Sequence, residues 1–180
     1  MGLGTRIENE MASTPTTLVS VEDYLARTEK PNAEYEDGVI YPKPMRTFSH
    51  SELEYTTTHL LREQGVIALP ELTMRVSTSP MKFLVPDVAV VRRIEGDYLT
   101  EPAILCVEIL SPEQRLGEML AKCELYHAWG VPYCWVIDPG KRSAWEYHKN
   151  GEPVKLAPNG TLRAGELSVP LSSLFAGLHE

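Results

Sequence analysis

Two acidic residues interrupt apolar runs of the sequence. Asp87 lies within FLVPDVAVV and Glu108 lies within ILCVEIL. A carboxylate that is buried in its ionised form without a partner is strongly unfavourable, so each residue predicts a nearby counter-charge. Either acid alone could lie at a strand end beside an arginine, and Pro86 would allow Asp87 an edge position. Together, on adjacent elements, they indicate a shared cation, because two carboxylates, a backbone carbonyl and water are typical ligands of Mg²⁺.

Lys122 is a third candidate, because it lies outside the apolar stripe of a predicted helix. Its helix face also carries Glu118 and Tyr126, and Tyr126 is interpreted as a packing residue. One hypothesis is a solvent-exposed Glu118–Lys122 pair, which contributes a few tenths of a kcal/mol to helix stability. The other is that the helix packs over the sheet, so that the ammonium reaches the two carboxylates. There it would position a water molecule or stabilise negative charge on a phosphate.

The elements that must position these residues follow from the hydrophobic pattern. The apolar runs 104–110 and 133–137 predict central strands that are buried on both faces. Between them, residues 113–129 keep helical spacing, so strand, helix and strand form a βαβ unit. Alternation along the first strand puts Glu108 on the same face as Cys106, where it replaces a core residue. The pattern predicts an α/β fold with a mixed sheet.

Shorter elements are predicted on either side of this unit. The chain before it favours a capped helix, a hairpin, a longer helix and several strands, and the chain after it favours a hairpin and a short helix. In chain order, the signals are Ser20, the Asp37-Gly38 turn, a helix over 50–63, strands within 66–91, a C-cap at Gly130, the Asn150-Gly151 turn and a helix start near Leu171.

Length and composition are typical of a single globular domain. The chain has 180 residues, of which 43% are hydrophobic and 8% are aromatic. We expect a mobile tail over residues 1–17, followed by one domain over residues 18–180. The three cysteines form no CxxC pair, and the sequence has neither a signal-peptide pattern nor an apolar run long enough to cross a membrane. These features predict a cytoplasmic protein that makes no membrane contact.

The charge balance of the chain is acidic. The 17 Lys and Arg residues stand against 25 Asp and Glu residues, which gives a formal net charge of −8. A protein that binds nucleic acid by neutralising phosphates normally has a basic surface. We therefore expect nucleic-acid binding only if a local basic groove, a second subunit or a bound cation supplies positive charge. Clustering at one groove would support the nuclease hypothesis, and scattering would weaken it, for the residues Arg75, Lys82, Arg92, Arg93, Arg115 and Lys122.

Three strings of the sequence together resemble a known protein family. These strings are VPDVAVV, CVEILSP and KCELYHAWGVPYCWVIDP. They are similar to the bacterial Uma-two family of restriction endonucleases, which belongs to the PD-(D/E)xK nuclease superfamily. The likeness runs from about Val21 to Leu178, and the segment EYEDGVIYPKP followed by His50 is similar to the family's N-terminal segment. The resemblance implies a restriction-endonuclease-like mixed β-sheet flanked by helices, with additional N- and C-terminal β-hairpins.

The resemblance also implies roles for particular residues. By position, Asp87 and Glu108 correspond to the two acids of the superfamily motif. The lysine of that motif lies two residues after the second acid, where this chain has Leu110. The family is expected to supply the lysine from the following helix instead, and Lys122 is the matching residue.

Four further positions leave alternatives open. Glu34 matches an acid of the family's N-terminal segment and is a candidate additional ligand, and the alternative is a solvated charge on the hairpin. His50 is a candidate phosphate contact, and the alternative is a simple helix start. Gln114 and Glu118 stand where family members often carry an acid and an aspartate, so the surroundings of the site and the activity are expected to differ.

These residues favour a metal-dependent endonuclease that hydrolyses phosphodiester bonds in DNA. Asp87, Glu108 and the backbone carbonyl of Ile109 would hold one Mg²⁺, for which Mn²⁺ should substitute. The alternative is a catalytically weak or inactive nuclease fold that serves as a binding module, which the acidic charge and Leu110 favour. RNA or branched DNA is a further substrate hypothesis. A homodimer is expected by analogy with the superfamily.

Overall fold

The secondary structure closely follows the hydrophobic pattern of the sequence. The computed structural model describes residues 18–28 and 32–178, so the tail predicted over residues 1–17 lies outside the described residues. The helices are α1 (Val21–Leu25), α2 (Phe48–Arg62), α3 (Leu116–Trp129) and α4 (Leu171–Leu174). The strands are β1 (Ala33–Glu36), β2 (Val39–Pro42), β3 (Ile67–Pro70), β4 (Met74–Thr78), β5 (Met81–Leu84), β6 (Val88–Val91), β7 (Leu105–Ile109), β8 (Tyr133–Asp138), β9 (Ser143–His148), β10 (Val154–Lys155), β11 (Thr161–Ala164) and β12 (Leu167–Pro170).

A mixed six-stranded sheet forms the centre of the fold, in the order β10-β9-β8-β7-β6-β3. Strands β7 and β8 are parallel and α3 lies between them in the chain, which confirms the predicted βαβ unit. The other neighbouring pairs of this sheet are antiparallel. Every residue of β7 is buried, as expected for a central strand that is covered on both faces. The predicted α/β class with a mixed sheet is confirmed.

Helices cover the two faces of this sheet and divide the core into two layers. One face packs against α2, α4 and the β11–β12 hairpin, and it receives Leu105, Val107 and Ile109 from β7. The other face packs against α3 and receives Cys106. Because side chains alternate along a strand, Glu108 lies on the α3 face together with Cys106. A side chain of α3 can therefore reach Glu108.

A second sheet carries the N-terminal hairpin. Its four antiparallel strands have the order β2-β1-β5-β4. Asp37 and Gly38 form the hairpin turn with positive φ angles of 46° and 93°, the conformation that Asp-Gly favours in two-residue turns. Tyr24, Tyr35 and Phe83 pack together in a small aromatic cluster that holds α1 against this sheet. The β1–β2 hairpin and the antiparallel pairing of β9 with β10 across the Asn150-Gly151 turn confirm the two hairpins that the pattern predicted. The pattern did not predict the β11–β12 hairpin.

Helix α3 begins at Leu116, later than the predicted start at Glu113. Arg115 is its N-cap and has extended backbone angles (φ −106°, ψ 145°), so the residues before it are not helical. The Arg115 amide donates a hydrogen bond to Glu118 Oε2 at 3.1 Å, which satisfies one backbone group at the helix start. The predicted end is confirmed, since Gly130 adopts a φ of 122° that favours glycine.

Helix α2 begins at Phe48, earlier than the predicted start at His50. Thr47 is its N-cap, and the Thr47 hydroxyl accepts a hydrogen bond from the His50 amide at 3.2 Å. His50 therefore lies inside the first turn of the helix, and its side chain is buried. The helix start thereby aims an imidazole into the protein.

Other expectations concern the whole protein. Within the described parts of the chain, no helix combines the length and the apolar character that crossing a membrane requires. Cys106, Cys123 and Cys134 are buried and unpaired, as expected for structural thiols. The single domain over residues 18–180, the cytoplasmic location and the homodimer stay predictions.

Candidate active site

Asp87 lies at the entrance to strand β6, between β7 and the edge strand β3 of the central sheet. Its amide donates to the Val107 carbonyl at 3.0 Å, and its carbonyl accepts from the Glu71 amide at 3.1 Å. The backbone is therefore paired on both sides, and the edge position that Pro86 allowed is wrong. Asp87 is only 1% exposed, so its carboxylate depends on protein partners.

Three groups surround the Asp87 carboxylate. The Ile109 amide donates to Oδ2 at 2.7 Å, and the Lys43 ammonium lies 2.6 Å from Oδ1. His50 Nε2 lies 3.3 Å from the same Oδ1. Burial raises the pKa of Asp87, but Lys43 and His50 outweigh burial, so the pKa lies well below its usual value. Asp87 is consequently ionised at neutral pH.

Glu108 lies in β7, next to Asp87 across the sheet. It is 2% exposed, and its Oε1 accepts a hydrogen bond from the Tyr126 hydroxyl at 2.5 Å. The Lys122 ammonium lies 2.9 Å from the same oxygen. Burial raises the pKa of Glu108, and Lys122 offsets only part of this effect. The positive charge near Glu108 therefore compensates only part of the cost of burying its ionised carboxylate, and an additional cation would stabilise the ionised form.

Lys122 projects from α3 toward these carboxylates. Besides Glu108, it contacts Glu34 Oε1 at 2.6 Å and the Val85 carbonyl at 3.4 Å. Burial lowers the pKa of Lys122, but the carboxylates of Glu108 and Glu34 outweigh burial and raise it above its usual value. The hypothesis of a solvent-exposed Glu118–Lys122 pair is therefore wrong. Glu118 instead binds the backbone at the start of its own helix.

Glu34 and His50 both lie at this cluster. Glu34 comes from β1, and its Oε1 accepts a hydrogen bond from the Val85 amide at 3.0 Å as well as contacting Lys122. A solvated charge on the hairpin is therefore wrong for Glu34. His50 lies in the first turn of α2, as the interpretation as a helix start predicts, and its imidazole also faces Asp87. The roles of both residues as ligand or phosphate contact stay predictions.

The segment between β2 and α2 carries site residues that sequence reasoning did not identify. Lys43 contacts Asp87, and Arg46 forms ion pairs with Glu54 and Glu71. Burial raises the pKa of Glu54, while Arg46 acts in the opposite direction. The available signal was a pair of basic residues in the Pro-containing stretch YPKPMR, directly before a helix. We name residues 41–48 the strap; this segment runs from the end of β2 to the first residue of α2.

These side chains line one small cavity of about 110 Å³. Pockets for drug-sized ligands typically measure about 300–1,000 Å³, so this cavity suits a cation, water and a single phosphate group better than a base or sugar. Its charged lining comes from the strap, β1, α2, the two central strands and α3. The ionisable residues in its wall include Glu34, Lys43, His50, Asp87, Glu108 and Lys122.

The donor set fits a divalent cation that keeps much of its water. Three carboxylates and three cations line the cavity, but Arg46 pairs with Glu54 and Glu71 outside the lining, so only Lys43 and Lys122 contact the three carboxylates of the cavity. Within residues 18–28 and 32–178, no three His, Cys, Asp or Glu side chains are grouped closely enough to form a metal cage. Mg²⁺ does not need one, because it commonly binds through one or two carboxylates, waters and a substrate phosphate. The predicted Ile109 carbonyl ligand stays a prediction, although the Ile109 amide already contacts Asp87.

The basic residues singled out from the sequence do not gather at this cavity. Of those six, Lys122 alone belongs to its lining, and Arg115 lines a neighbouring cavity. Lys82 pairs with Glu36, and Arg93 pairs with Glu101, away from the site. The positive charge at the cavity comes from Lys122 and from Lys43 and Arg46 of the strap. By the criterion set from the sequence, the scattering of the other five residues weakens the nuclease hypothesis.

The two departures from the superfamily pattern have structural explanations. Leu110, where the motif lysine would lie, is buried in the core layer beneath α3. Lys122 from α3 approaches Glu108 in its place. Gln114 accepts a hydrogen bond from the Ser111 amide through Oε1 at 3.0 Å, so it holds the turn between β7 and α3 beside the cavity. A neutral side chain is sufficient for that contact.

Comparison with known proteins agrees with the resemblance seen in the sequence. The family Uma2, described as "Putative restriction endonuclease", matches residues 21–178. Among solved structures, the fold is similar to a crystal structure titled as a putative nuclease belonging to DUF820 from Anabaena variabilis ATCC 29413. That match has a TM-score of 0.73 and 22% sequence identity, and it covers 88% of this chain and 98% of the other. No curated protein matches the sequence.

Proposed function

The chain belongs to the Uma2 family, whose description is "Putative restriction endonuclease", and we propose that it is a metal-dependent endonuclease that hydrolyses phosphodiester bonds in DNA. The observation that carries this proposal is the convergence of Asp87, Glu108 and Lys122 in one small cavity. The family and the nuclease-like fold support phosphodiester hydrolysis in general. The cation and the DNA substrate are the parts that experiment must test.

Asp87 and Glu108 would hold the cation, together with the Ile109 carbonyl and water. A bound Mg²⁺ or Mn²⁺ would supply a water of lowered pKa and would neutralise charge on a phosphate oxygen. Asp87 is ready for this role because its pKa is low and it is ionised at neutral pH. Lys43 occupies the same oxygen of Asp87 and would have to move away from it when a cation binds.

Lys122 would act as a fixed positive charge and not as a base. Its raised pKa keeps its proton in place at neutral pH. Its ammonium reaches both Glu34 and Glu108, so its position is defined from two sides. From there it would orient a water molecule and stabilise negative charge that develops on the phosphate. Glu34 and Tyr126 would be positioning residues, because they contact Lys122 and Glu108 respectively.

The test is nicking of supercoiled plasmid with Mg²⁺ or Mn²⁺. Asp87→Asn and Lys122→Met keep side-chain size while removing charge, and we expect both to abolish nicking. The matched controls are Asp97→Asn and Lys155→Met, because both residues are exposed and outside this cavity. Calorimetric titration of each variant with Mn²⁺ distinguishes loss of the cation site from loss of a catalytic group. Full activity in Asp87→Asn would overturn the proposal.

A second candidate function is a binding module of the nuclease fold without significant hydrolysis. The observation in its favour is that Lys43 and Lys122 already neutralise much of the carboxylate charge. This function predicts that the wild-type protein leaves plasmid, linear duplex and single-stranded substrates intact while retaining a folded structure. Cleavage of any of these that depends on Asp87 would exclude it.

A further inference from the structure

A larger cavity lies directly beside the acidic one. It measures about 710 Å³, and it shares Ser111 and Gln114 with the acidic cavity. The shared residues make the two spaces neighbours along the turn between β7 and α3. A volume of this size falls within the range of about 300–1,000 Å³ that holds organic ligands in proteins, whereas the acidic cavity is too small for a nucleoside.

Two basic side chains border the larger cavity. Arg115 is exposed and forms no ion pair with any residue in the described ranges of the chain. Lys141 is 76% exposed at its side chain, and its acidic neighbour Asp138 is 3.5 Å away, a contact that solvent weakens. Both charges are therefore available to an anionic ligand. Their number is small, which suits one or two phosphates and not the long backbone contact that duplex binding uses.

The depth of the acids limits which nucleic acids can reach them. Asp87 and Glu108 are 1% and 2% exposed at the base of a narrow cavity. Duplex DNA is stiff over about 150 base pairs and presents its phosphates on a convex surface. An unpaired strand bends freely, so it can bring a single phosphate into a recess while the adjacent nucleotide remains outside.

Two exposed apolar side chains belong to the segment whose residues Thr47 and Ser49 line the larger cavity, and neither of the two is itself among the lining residues. Phe48 is 68% exposed and lies between Thr47 and Ser49, both of which line the larger cavity. Met45, also from the strap, is 84% exposed. Bases of an unpaired strand stack on aromatic side chains whatever their sequence, whereas the bases of an intact duplex are already stacked on one another.

We propose that the larger cavity binds the nucleotide next to the scissile phosphate, and that the protein thereby selects an unpaired DNA strand over intact duplex. Arg115 and Lys141 contact the phosphate of that nucleotide, and Phe48 stacks on its base. The inference rests on the proposed nuclease function, in which the acidic cavity is the site of cleavage. It adds that the DNA strand bound there is unpaired. It also agrees with the net charge of −8, since stacking replaces part of the phosphate attraction that a basic surface provides.

The test is fluorescence anisotropy with a labelled single-stranded oligonucleotide and the same sequence as a duplex. The assay contains EDTA, so binding is measured without cleavage. We expect the wild-type protein to bind the single strand at least about tenfold more tightly than the duplex. Phe48→Ala should weaken single-strand binding by about fivefold or more. Tyr55→Ala is the matched control, because Tyr55 is on the same helix with the same 68% exposure, but its chain neighbours, unlike those of Phe48, do not line the larger cavity.

The salt dependence of binding identifies the phosphate contacts. Each phosphate contact with a single strand contributes about −0.7 to the slope of log K against log salt concentration. Arg115→Ala and Lys141→Ala should each make this slope shallower by about that amount, which a merely structural role would not do. Lys149→Ala is the control. Lys149 is exposed and follows His148, which pairs with Tyr133 at the opposite end of β8 from Asp138.

The outcomes separate this inference from the proposed nuclease function. Duplex binding that equals single-strand binding would overturn the inference whether or not plasmid is cleaved. So would an unchanged affinity in Phe48→Ala together with an unchanged salt slope in Arg115→Ala and Lys141→Ala. Single-strand binding with the expected variant effects, but no cleavage with Mg²⁺ or Mn²⁺, would support the cavity and reject the nuclease function. No oligonucleotide binding at all would also overturn the inference.

Discussion

The ammonium of Lys122 lies 2.6 Å from Glu34 Oε1, and this contact joins helix α3 to the N-terminal hairpin. The same ammonium contacts Glu108 in the central sheet. One lysine thus connects three elements that are distant in the sequence. Since both carboxylates and the lysine are largely buried, removing one charge leaves the others without compensation.

We predict that Lys122→Met lowers the free energy of unfolding by about 3–5 kcal/mol, because two carboxylates lose their shared partner. Glu34→Gln should lower it less, since Lys122 keeps Glu108. In the double variant the two losses should be less than additive by about 0.5–3 kcal/mol. Urea unfolding of the four proteins measures this coupling. Strictly additive losses would show that the Lys122–Glu34 contact contributes nothing.

The Tyr126 hydroxyl stabilises the ionised form of Glu108 by hydrogen bonding at 2.5 Å. We expect Tyr126→Phe to lower the free energy of unfolding by about 1.5–3 kcal/mol, the range for a hydrogen bond to a charged group. Tyr147→Phe is the matched control, because Tyr147 is also buried and its hydroxyl makes no hydrogen bond with residues that the structure describes. Equal losses in the two variants would show that the Tyr126–Glu108 hydrogen bond does not contribute to the free energy of unfolding.

Lys43 occupies the Asp87 oxygen that a cation would need. If the proposed cation site is correct, Lys43→Met removes the competing ammonium, and we expect Mn²⁺ to bind about tenfold more tightly. The same substitution should destabilise the cation-free protein, because Asp87 then keeps only His50 and the Ile109 amide. Calorimetric titration with Mn²⁺ and thermal unfolding provide the two measurements. Weaker Mn²⁺ binding in the variant would indicate that Lys43 helps to build the site.

Gly130 ends α3 with a φ of 122°, and a Cβ there would lie 2.9 Å from Pro102 Cγ. Gly130→Ala should therefore lower the free energy of unfolding by about 1–3 kcal/mol through backbone strain and crowding. Gly117→Ala provides the contrast, since Gly117 lies in the same helix and a Cβ there would meet nothing within 4 Å. It should stabilise the protein by about 0.5–1 kcal/mol. Denaturant unfolding of the two variants measures both changes. The prediction is wrong if both substitutions change the free energy of unfolding in the same direction.

Stability at alkaline pH depends on the buried thiol of Cys134. Burial raises the pKa of Cys134 well above its ordinary value of 9.0, and the neighbouring Cys123 adds to this effect. A group with a raised pKa in the folded state contributes stability that is fully present below its unfolded pKa and is lost as the pH rises toward the folded pKa. We therefore expect stability to fall above about pH 9, by up to about 1.4 kcal/mol per pH unit from this group.

The measurement is urea unfolding of wild type and Cys134→Ala between about pH 8 and pH 10. The difference between the two pH dependences isolates the thiol from other groups that titrate in this range. Cys134→Ala should be less stable than wild type below about pH 9, because the smaller side chain leaves a cavity in the core. Its stability should nevertheless fall less steeply with rising pH. Parallel pH dependences would contradict the assignment.

The sequence alone predicted most elements of the fold and pointed to three residues that the structure brings together in the candidate site. Alternating and continuous apolar runs depend only on local spacing, so they predicted the βαβ unit, the hairpins and the burial of Asp87 and Glu108. An acid in an apolar strand is informative because its burial requires a partner. The position of Lys122 on its helix made it a candidate, and the family resemblance implied its role and the nuclease-like fold that the comparisons support.

The tertiary structure decided which charges meet. The contacts of Lys43 with Asp87 and of Glu34 with Lys122 join separate elements, and no local pattern encodes the distance between such residues. Hydrophobic spacing likewise left Lys122 outside the apolar stripe of its helix, because a buried ion pair and an exposed one have the same sequence pattern. Only the packing of α3 over the sheet distinguishes the buried ion pair from an exposed one, since burial is a property of the assembled layers and not of the helix itself.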